Sequence, residues 1–287
     1  GNIQNMAKVS VIIPIYNVSL FVDRGLGAIK EQTESDIEII CVEDCSEDTS
    51  FNRVKLHADA DPRIKVLQNN HNMGPMVSRM KGVREATGKY IMFCDADDYY
   101  ACDAVEKMVA AIEKSGDDIV IGGYIEEGSS KHPIEGSLPK IVHWDRTKMF
   151  HDVLRLRQRH SVWGKIYRRE VFGYDYNTFE NLSIGEDMVF FYEILSHVKS
   201  VSTLNEVVYH YFYNPKSLTR SRLTEARLRQ VIQTQKFIRR FIPKTKKAQM
   251  LYYVSLYRAL CGRIVKGYSI KVLFQEMLRP AQDKLPY

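Results

Sequence analysis

No apolar run of 18 residues occurs anywhere in the 287-residue chain, and no basic start leads into a hydrophobic leader. The expectation is therefore a chain that neither spans a membrane nor carries a signal peptide. Cysteines are few: Cys41, Cys45, Cys94, Cys102 and Cys261 form no C-x-x-C pair and sit largely in apolar runs. That pattern argues against a disulfide framework and for reduced thiols in a cytoplasmic protein. There is no internal repeat and no low-complexity tract, so a repeat array is excluded. Acidic residues are scarce at one end. Residues 221–287 hold 15 Lys or Arg against 3 Asp or Glu, a charge of +12, whereas the whole chain carries +6. The first 220 residues are accordingly net −6, which disfavours nucleic acid as a partner, and no nucleic-acid motif is present.

What is present is a series of short apolar runs that stop at polar turns. Lys8–Ile13, Ile37–Val42, Ile64–Leu67, Tyr90–Phe93 and Asp118–Tyr124 read as strands. Between them, Leu20–Gln32 reads as a helix capped by Ser19 and burying Leu20, Val22, Leu26 and Ile29, and Pro75–Ala86 as another. Strands alternating with helices predict an α/β fold with a mostly parallel sheet, whose ligand sites lie at the carboxyl ends of the strands. Pro14-Ile15-Tyr16-Asn17, Glu43-Asp44 and Asp95-Ala96-Asp97-Asp98 all fall at such ends. Buried carboxylates are costly to desolvate, so a cluster where a strand leaves the core calls for a cation. The spacing of Asp95 and Asp97 suits Mg²⁺ or Mn²⁺ shared with a diphosphate. The plainer alternative is a solvated, Asp-rich turn.

The runs VSVIIPIYN, EIICVEDCSEDTS and NMGPMVSRMKGVREATGKYIMFCDADD resemble the donor-binding half of family 2 glycosyltransferases of the GT-A fold. The resemblance continues through Val162-Trp163-Gly164-Lys165-Ile166-Tyr167, Gly185-Glu186-Asp187 and the stretch ending in Ser217-Leu218-Thr219, covering roughly residues 8–220 in the family's order. It implies a Rossmann-like sheet, with a donor-binding half at about 8–125 and an acceptor half at about 126–220. A helical, basic segment follows over 221–287, with helices at Leu223–Phe241, Lys246–Val265 and Ile270–Leu278. The implied chemistry is transfer of a sugar from a nucleotide diphosphate sugar, with UDP as nucleotide, to an acceptor hydroxyl of a glycan or a lipid-linked glycan, with inversion.

By the same resemblance Tyr16 stacks on the base and Asp44 accepts from a base N–H. Pro14 and Ala96 belong to the same nucleotide-contacting turns, and Arg79 reaches the nucleotide. Asp97 is the direct metal ligand, and Asp95 meets the ribose or a metal-bound water. Asp187 deprotonates the acceptor, and Glu186 holds the acceptor or the donor sugar. His210 is either a further metal or phosphate ligand or a packed core residue. Asp44 could instead cap the following helix, and Glu186 and Asp187 could simply favour the positive end of theirs, where the dipole lowers a carboxyl pKa. The polar loop 126–137 is a candidate for acceptor recognition.

Two departures stand out. Where relatives commonly carry an Arg for the diphosphate this chain has Phe212, leaving Lys216, Arg220 or His210 to substitute, and Arg79-Met80 stands where many have Arg-Asn. Two other readings compete with a glycosyltransferase. A sugar-phosphate nucleotidyltransferase is disfavoured because residues 14–17 contain no glycine, and a non-catalytic sugar-nucleotide module remains open. The basic residues from Arg222 to Lys247, with Leu223, Leu228, Ile232 and Phe237–Ile242, form a cationic helix with an apolar side. It either packs on the first domain, forms a homodimer contact or rests peripherally on anionic lipid at the inner face of the membrane.

Overall fold

The structure, a computed structural model, describes residues 7–127, 143–155, 159–177, 179–180, 182, 185–212, 224–265 and 268–279, with the backbone of 135–137. Lys216, Arg220, Arg222, Leu223, the Ser217-Leu218-Thr219 motif and most of the 126–137 loop lie outside the described residues.

The first half alternates as the apolar runs predict: β1 (Val9–Ile15), α1 (Val22–Lys30), β2 (Ile37–Glu43), α2 (Ser50–Ala60), β3 (Ile64–Gln68), α3 (Pro75–Glu85) and β4 (Tyr90–Phe93). β1 pairs in parallel with β2 and β4, and β2 with β3. Then come β5 (Tyr99–Tyr100), α4 (Ala104–Ser115), β6 (Ile119–Glu127), β7 (Glu135–Ser137), β8 (His143–Asp145), α5 (Arg146–Leu154), β9 (Lys165–Arg168), α6 (Glu186–His197) and β10 (Ser200–Phe212). The sheet order is β3-β2-β1-β4-β9-β6-β10-β5. β9 is antiparallel to both neighbours, and β6 and β10 are parallel, so the sheet is mixed on one side of β4. β7 folds back on β6, so the loop expected over 126–137 contains strand pairing at both ends.

Strand residues alternate between two apolar layers. Ile12, Ile40, Val42, Ile91 and Phe93 pack with α3, α5, α6 and the C-terminal helices. Val11, Ile13, Ile39, Cys41 and Met92 pack with α1, α2 and α4. Covering both faces explains why these strands are continuously apolar in sequence. Gly82 of α3 marks a close approach: a Cβ there would lie 2.5 Å from Ile12 Cγ2. Pro14 also has a positional reason. Ile12 O accepts from Cys94 N (3.1 Å) and Ile15 O from Asp44 N (2.9 Å), so alternate residues of β1 face β4 and β2. Pro14 falls on the β4 side beyond that strand's last residue, where the ladder needs no donor.

Helix α1 begins later than the sequence predicts. Ser19 is not its cap; its N–H donates to Asp48 Oδ2 (3.1 Å), and Leu20 is 85% exposed. The C-terminal elements are α7 (Glu225–Phe237), a 3₁₀ turn over Ile238–Phe241, α8 (Lys246–Val265) and α9 (Ile270–Leu278). The expected apolar side of α7 is turned inward: Leu228, Ile232, Phe237, Ile238 and Ile242 are buried in the layer that holds α6. Phe237 meets Phe179 edge-on at 5.0 Å. The apolar side of this helix therefore packs on the domain.

Candidate active site

A cleft of about 520 Å³ opens at the carboxyl ends of β1, β2 and β4. Pro14, Tyr16, Asp44, Arg79, Asp95, Ala96, Asp97 and Glu186, eight of the residues picked from sequence, line it together. Tyr16 is 42% exposed and leaves a ring face available for stacking. Asp44 is buried and accepts from Met73 N (2.7 Å), Gly74 N (2.8 Å) and Asn69 Nδ2 (2.7 Å). It therefore shapes the loop before α3 and does not cap α2, and a carboxylate with about four acceptor positions keeps one for a ligand. Gly74 holds φ +88° immediately before Pro75, the first residue of α3, where a missing N–H costs nothing.

Arg79 joins the two carboxylate groups. It is 3% exposed, and its Nη2 donates to Asp95 Oδ1 (2.8 Å) while Nη1 donates to Asp187 Oδ1 (2.7 Å). Burial works against its charge, but Asp187 and Asp95 outweigh burial and raise its proton affinity. The carboxyl of Asp95 is raised, first by burial and then by Asp187, with Arg79 opposing. Glu186 is pushed up to about 8 by burial and by neighbouring Asp187. At this first residue of α6, desolvation and a like charge outweigh the pull of the helix dipole. Gly185 precedes it at φ +85°, and a Cβ there would lie 2.9 Å from Thr234 Cγ2 of α7. The turn carrying Glu186 and Asp187 thus rests directly on the C-terminal helices.

Asp98 ties the aspartate turn to β10. It is 1% exposed and accepts from Tyr209 Oη (2.8 Å) and Phe212 N (2.8 Å), while Tyr209 Oη accepts from Asp95 N (3.1 Å). It does not cap α4. His210, on the same strand, bonds through Nδ1 to Glu127 Oε1 (2.9 Å) and stacks on Tyr99 at 4.5 Å, and Tyr99 Oη also donates to Glu127. None of these three residues lines the cleft. Among the described residues no group of three or more His, Cys, Asp or Glu is arranged to hold a metal. Of the carboxylates lining the cleft, Asp95 and Asp97 stand together on the aspartate turn, hard oxygen donors of the kind Mg²⁺ and Mn²⁺ take together with phosphate oxygens and water.

Arg24 was not singled out in sequence. Its guanidinium lies 4.1 Å from the centroid of the Phe212 ring and 5.2 Å from that of Tyr99, and it donates to the main-chain oxygen of Asp97. A cation thus does stand beside Phe212, supplied by α1. Nothing but its place next to the apolar stripe of α1 could have pointed to it. The Trp163-Gly164-Lys165 motif backs the site from β9: Trp163 stacks on Tyr209 at 4.6 Å. Lys165, 3% exposed and pushed down to about 7 by burial, donates to Ser161 O (2.5 Å).

The model of "Glycosyl transferase family 2" matches residues 10–174. An uncharacterized glycosyltransferase EpsJ of Bacillus subtilis is 32% identical over 219 residues, covering 74% of this chain and 62% of the relative. Glycosyltransferase GlyA of Streptococcus pneumoniae is 29% identical over 223 residues, covering 74% of this chain and 32% of GlyA. The matched part thus spans less than two thirds of these relatives. Among solved structures, S. aureus TarS 1–349 in complex with UDP-GlcNAc superposes with a TM-score of 0.70 at 20% identity, over 84% of this chain and 69% of TarS 1–349. Mannosyltransferase PcManGT from Pyrobaculum calidifontis, in complex with GDP-Man and Mn²⁺, superposes with a TM-score of 0.60 at 16% identity, over 94% and 78% of the two chains. At these identities the structural likeness shows the fold, and the family model carries the assignment: the chain belongs to glycosyl transferase family 2.

Proposed function

We propose that the chain transfers a sugar from a nucleoside diphosphate sugar to an acceptor hydroxyl, with inversion and with dependence on Mg²⁺ or Mn²⁺. The observation that carries the reading is Arg79, whose single buried guanidinium holds Asp95 of the aspartate turn and Asp187 of α6. These carboxylates are the expected donor-side and acceptor-side groups, and they come from distant parts of the sequence to one point beside a nucleotide-sized cleft. UDP is the nucleotide we infer, since a similar TarS structure holds UDP-GlcNAc.

In this reading Tyr16 stacks on the base, and the remaining acceptor position of Asp44 takes a base N–H. Pro14 and Ala96 line the same slot. Asp97, with Asp95, would hold the cation, which supplies charge neutralisation for the departing diphosphate. We leave His210 out of that set because it does not line the cleft that holds Asp95 and Asp97. Asp187 takes the proton from the acceptor oxygen as that oxygen attacks the anomeric carbon and the bond to the diphosphate breaks, so one displacement inverts the centre. Arg79 fixes the direction of Asp187, and the reactivity of the base comes from placement. Glu186, neutral below about pH 8, can donate its proton in a hydrogen bond to a sugar hydroxyl. The acceptor is a glycan or lipid-linked hydroxyl.

Calorimetry of UDP binding with Mn²⁺ and with EDTA tests the donor site. UDP should bind tightly only with the cation, which screens its phosphates from Asp95 and Asp97. Equal affinity in EDTA would remove the metal, and absence of UDP binding would remove the nucleotide assignment. NMR of the product should show inversion, and retention would contradict the single-displacement route.

A further inference from the structure

Helix α8 is apolar on both sides. Its inner side buries Leu251, Leu256 and Leu260. Its outer side carries Met250, Tyr253, Val254 and Tyr257, exposed by 58, 48, 40 and 69%. These follow at i, i+3, i+4 and i+7 and form one stripe, whereas a helix lying on a soluble core ordinarily turns charges outward. Lys246 and Lys247 at one end of the stripe and Arg258 at the other are exposed, and the twenty residues of α8 include no Asp or Glu. At 100° per residue the stripe and these three cations share an arc of roughly 140°. Arg239 adds a further guanidinium 5.2 Å from the centroid of the Tyr253 ring.

We propose that this face of α8 seats on an anionic lipid bilayer, the side chains of Met250, Val254 and the two tyrosines entering the headgroup boundary and the cations meeting lipid phosphates. Charge complementarity selects this occupant. An apolar stripe between basic ends, with tyrosines whose hydroxyls stay wet, is the composition of an interfacial helix. A second copy is disfavoured, because pairing stripe against stripe in antiparallel fashion brings Lys246 and Lys247 of one helix toward Arg258 of the other with no carboxylate on either. Spanning is not the mode: among the described residues no helix is long and apolar enough to cross a membrane. The surface differs from the inward side of α7, and its use does not depend on the transfer reaction.

Sedimentation of the whole chain with vesicles of phosphatidylcholine, with and without phosphatidylglycerol, tests this without donor or acceptor. Binding should appear only with phosphatidylglycerol and fade at high salt as the Debye length contracts. A variant with Lys246→Gln, Lys247→Gln and Arg258→Gln should partition about a hundredfold more weakly, about fivefold for each cation. Met250→Ser with Tyr257→Ser should weaken binding to the same vesicles at least about tenfold, since apolar burial is lost. All five positions are exposed, and circular dichroism of both variants should match the parent. Failure of the parent to bind anionic vesicles overturns the proposal. So does parent-like binding by both variants, or a lipid-free dimer that Tyr257→Ser dissociates.

Discussion

Glu186→Gln measures how strongly the first carboxyl of α6 is held neutral. Burial and Asp187 raise this carboxyl from 4.5 to about 8 against the opposing pull of Arg79. Between those two values the folded chain keeps a proton that the unfolded chain has released. Stability therefore falls as pH rises through the window, and the loss is complete above about pH 8. The full displacement corresponds to roughly 5 kcal/mol at 1.36 kcal/mol per unit, and relaxation of a partly solvated turn reduces it to about 2–4 kcal/mol. Glutamine has the shape of the neutral acid and does not titrate. Parent and variant should then unfold alike at pH 5, within about 1 kcal/mol, while at pH 9 the variant should be the more stable by about 2–4 kcal/mol. Urea titrations at pH 5, 7 and 9 in EDTA, followed by the fluorescence of buried Trp144 and Trp163, give both curves. Parallel pH dependences, or a variant weaker than the parent at pH 9, would refute a neutral Glu186.

Three further outcomes follow from the same geometry. Asp187→Asn should leave UDP affinity near that of the parent and lower turnover by about 10²–10⁴, read from UDP release; near-parental turnover would move the base elsewhere, Glu186 first. Arg79→Met strips the shared cation from Asp95 and Asp187, whose side chains are 27 and 22% exposed. Removing one partner of a buried pair costs about 3–5 kcal/mol, and solvent contact should hold the loss to about 2–3, larger at pH 8 than at pH 4.5, where protonation of the raised Asp95 carboxyl relieves part of it. A pH-independent loss in urea titrations would argue that Arg79 acts through packing. Gly82→Ala should lower the urea midpoint with unchanged slope, by about 1–2 kcal/mol, because overpacking against Ile12 exceeds the helical gain of alanine.

Much of this was legible in the sequence because it is local. Strands buried on both faces are continuous apolar runs, and polar residues where they stop mark the cleft, so Tyr16, Asp44, Asp95 and Asp97 could be named from their positions. Ordering by distance along the chain hides the rest. Arg24 reaches the Asp97 main chain across 73 residues, Tyr209 reaches Asp98 across 111, and Arg79 reaches Asp187 across 108. No periodicity reports such pairings. For His210 the sequence left ligand and packed residue open, because a histidine among tyrosines carries no label for its neighbour, here Glu127. The start of α1 was misplaced because Ser19 is a good cap in isolation, whereas here both its N–H and its side chain bond to Asp48. The inward side of α7 and the outward stripe of α8 have similar compositions, and only packing tells which is covered.

The close approach of Gly185 to Thr234 makes the C-terminal helices a wall of the turn that carries Glu186 and Asp187. A chain cut ahead of α7 would lose the support under Glu186 and Asp187 along with its basic surface, so truncation could not separate the lipid contact proposed for α8 from the integrity of this turn. In evolutionary terms, residue 185 admits no side chain while α7 stays where it is. Exchanging the C-terminal segment for that of a relative is then also an exchange of what supports the Glu186-Asp187 turn, and grafted tails should alter the geometry of the proposed site.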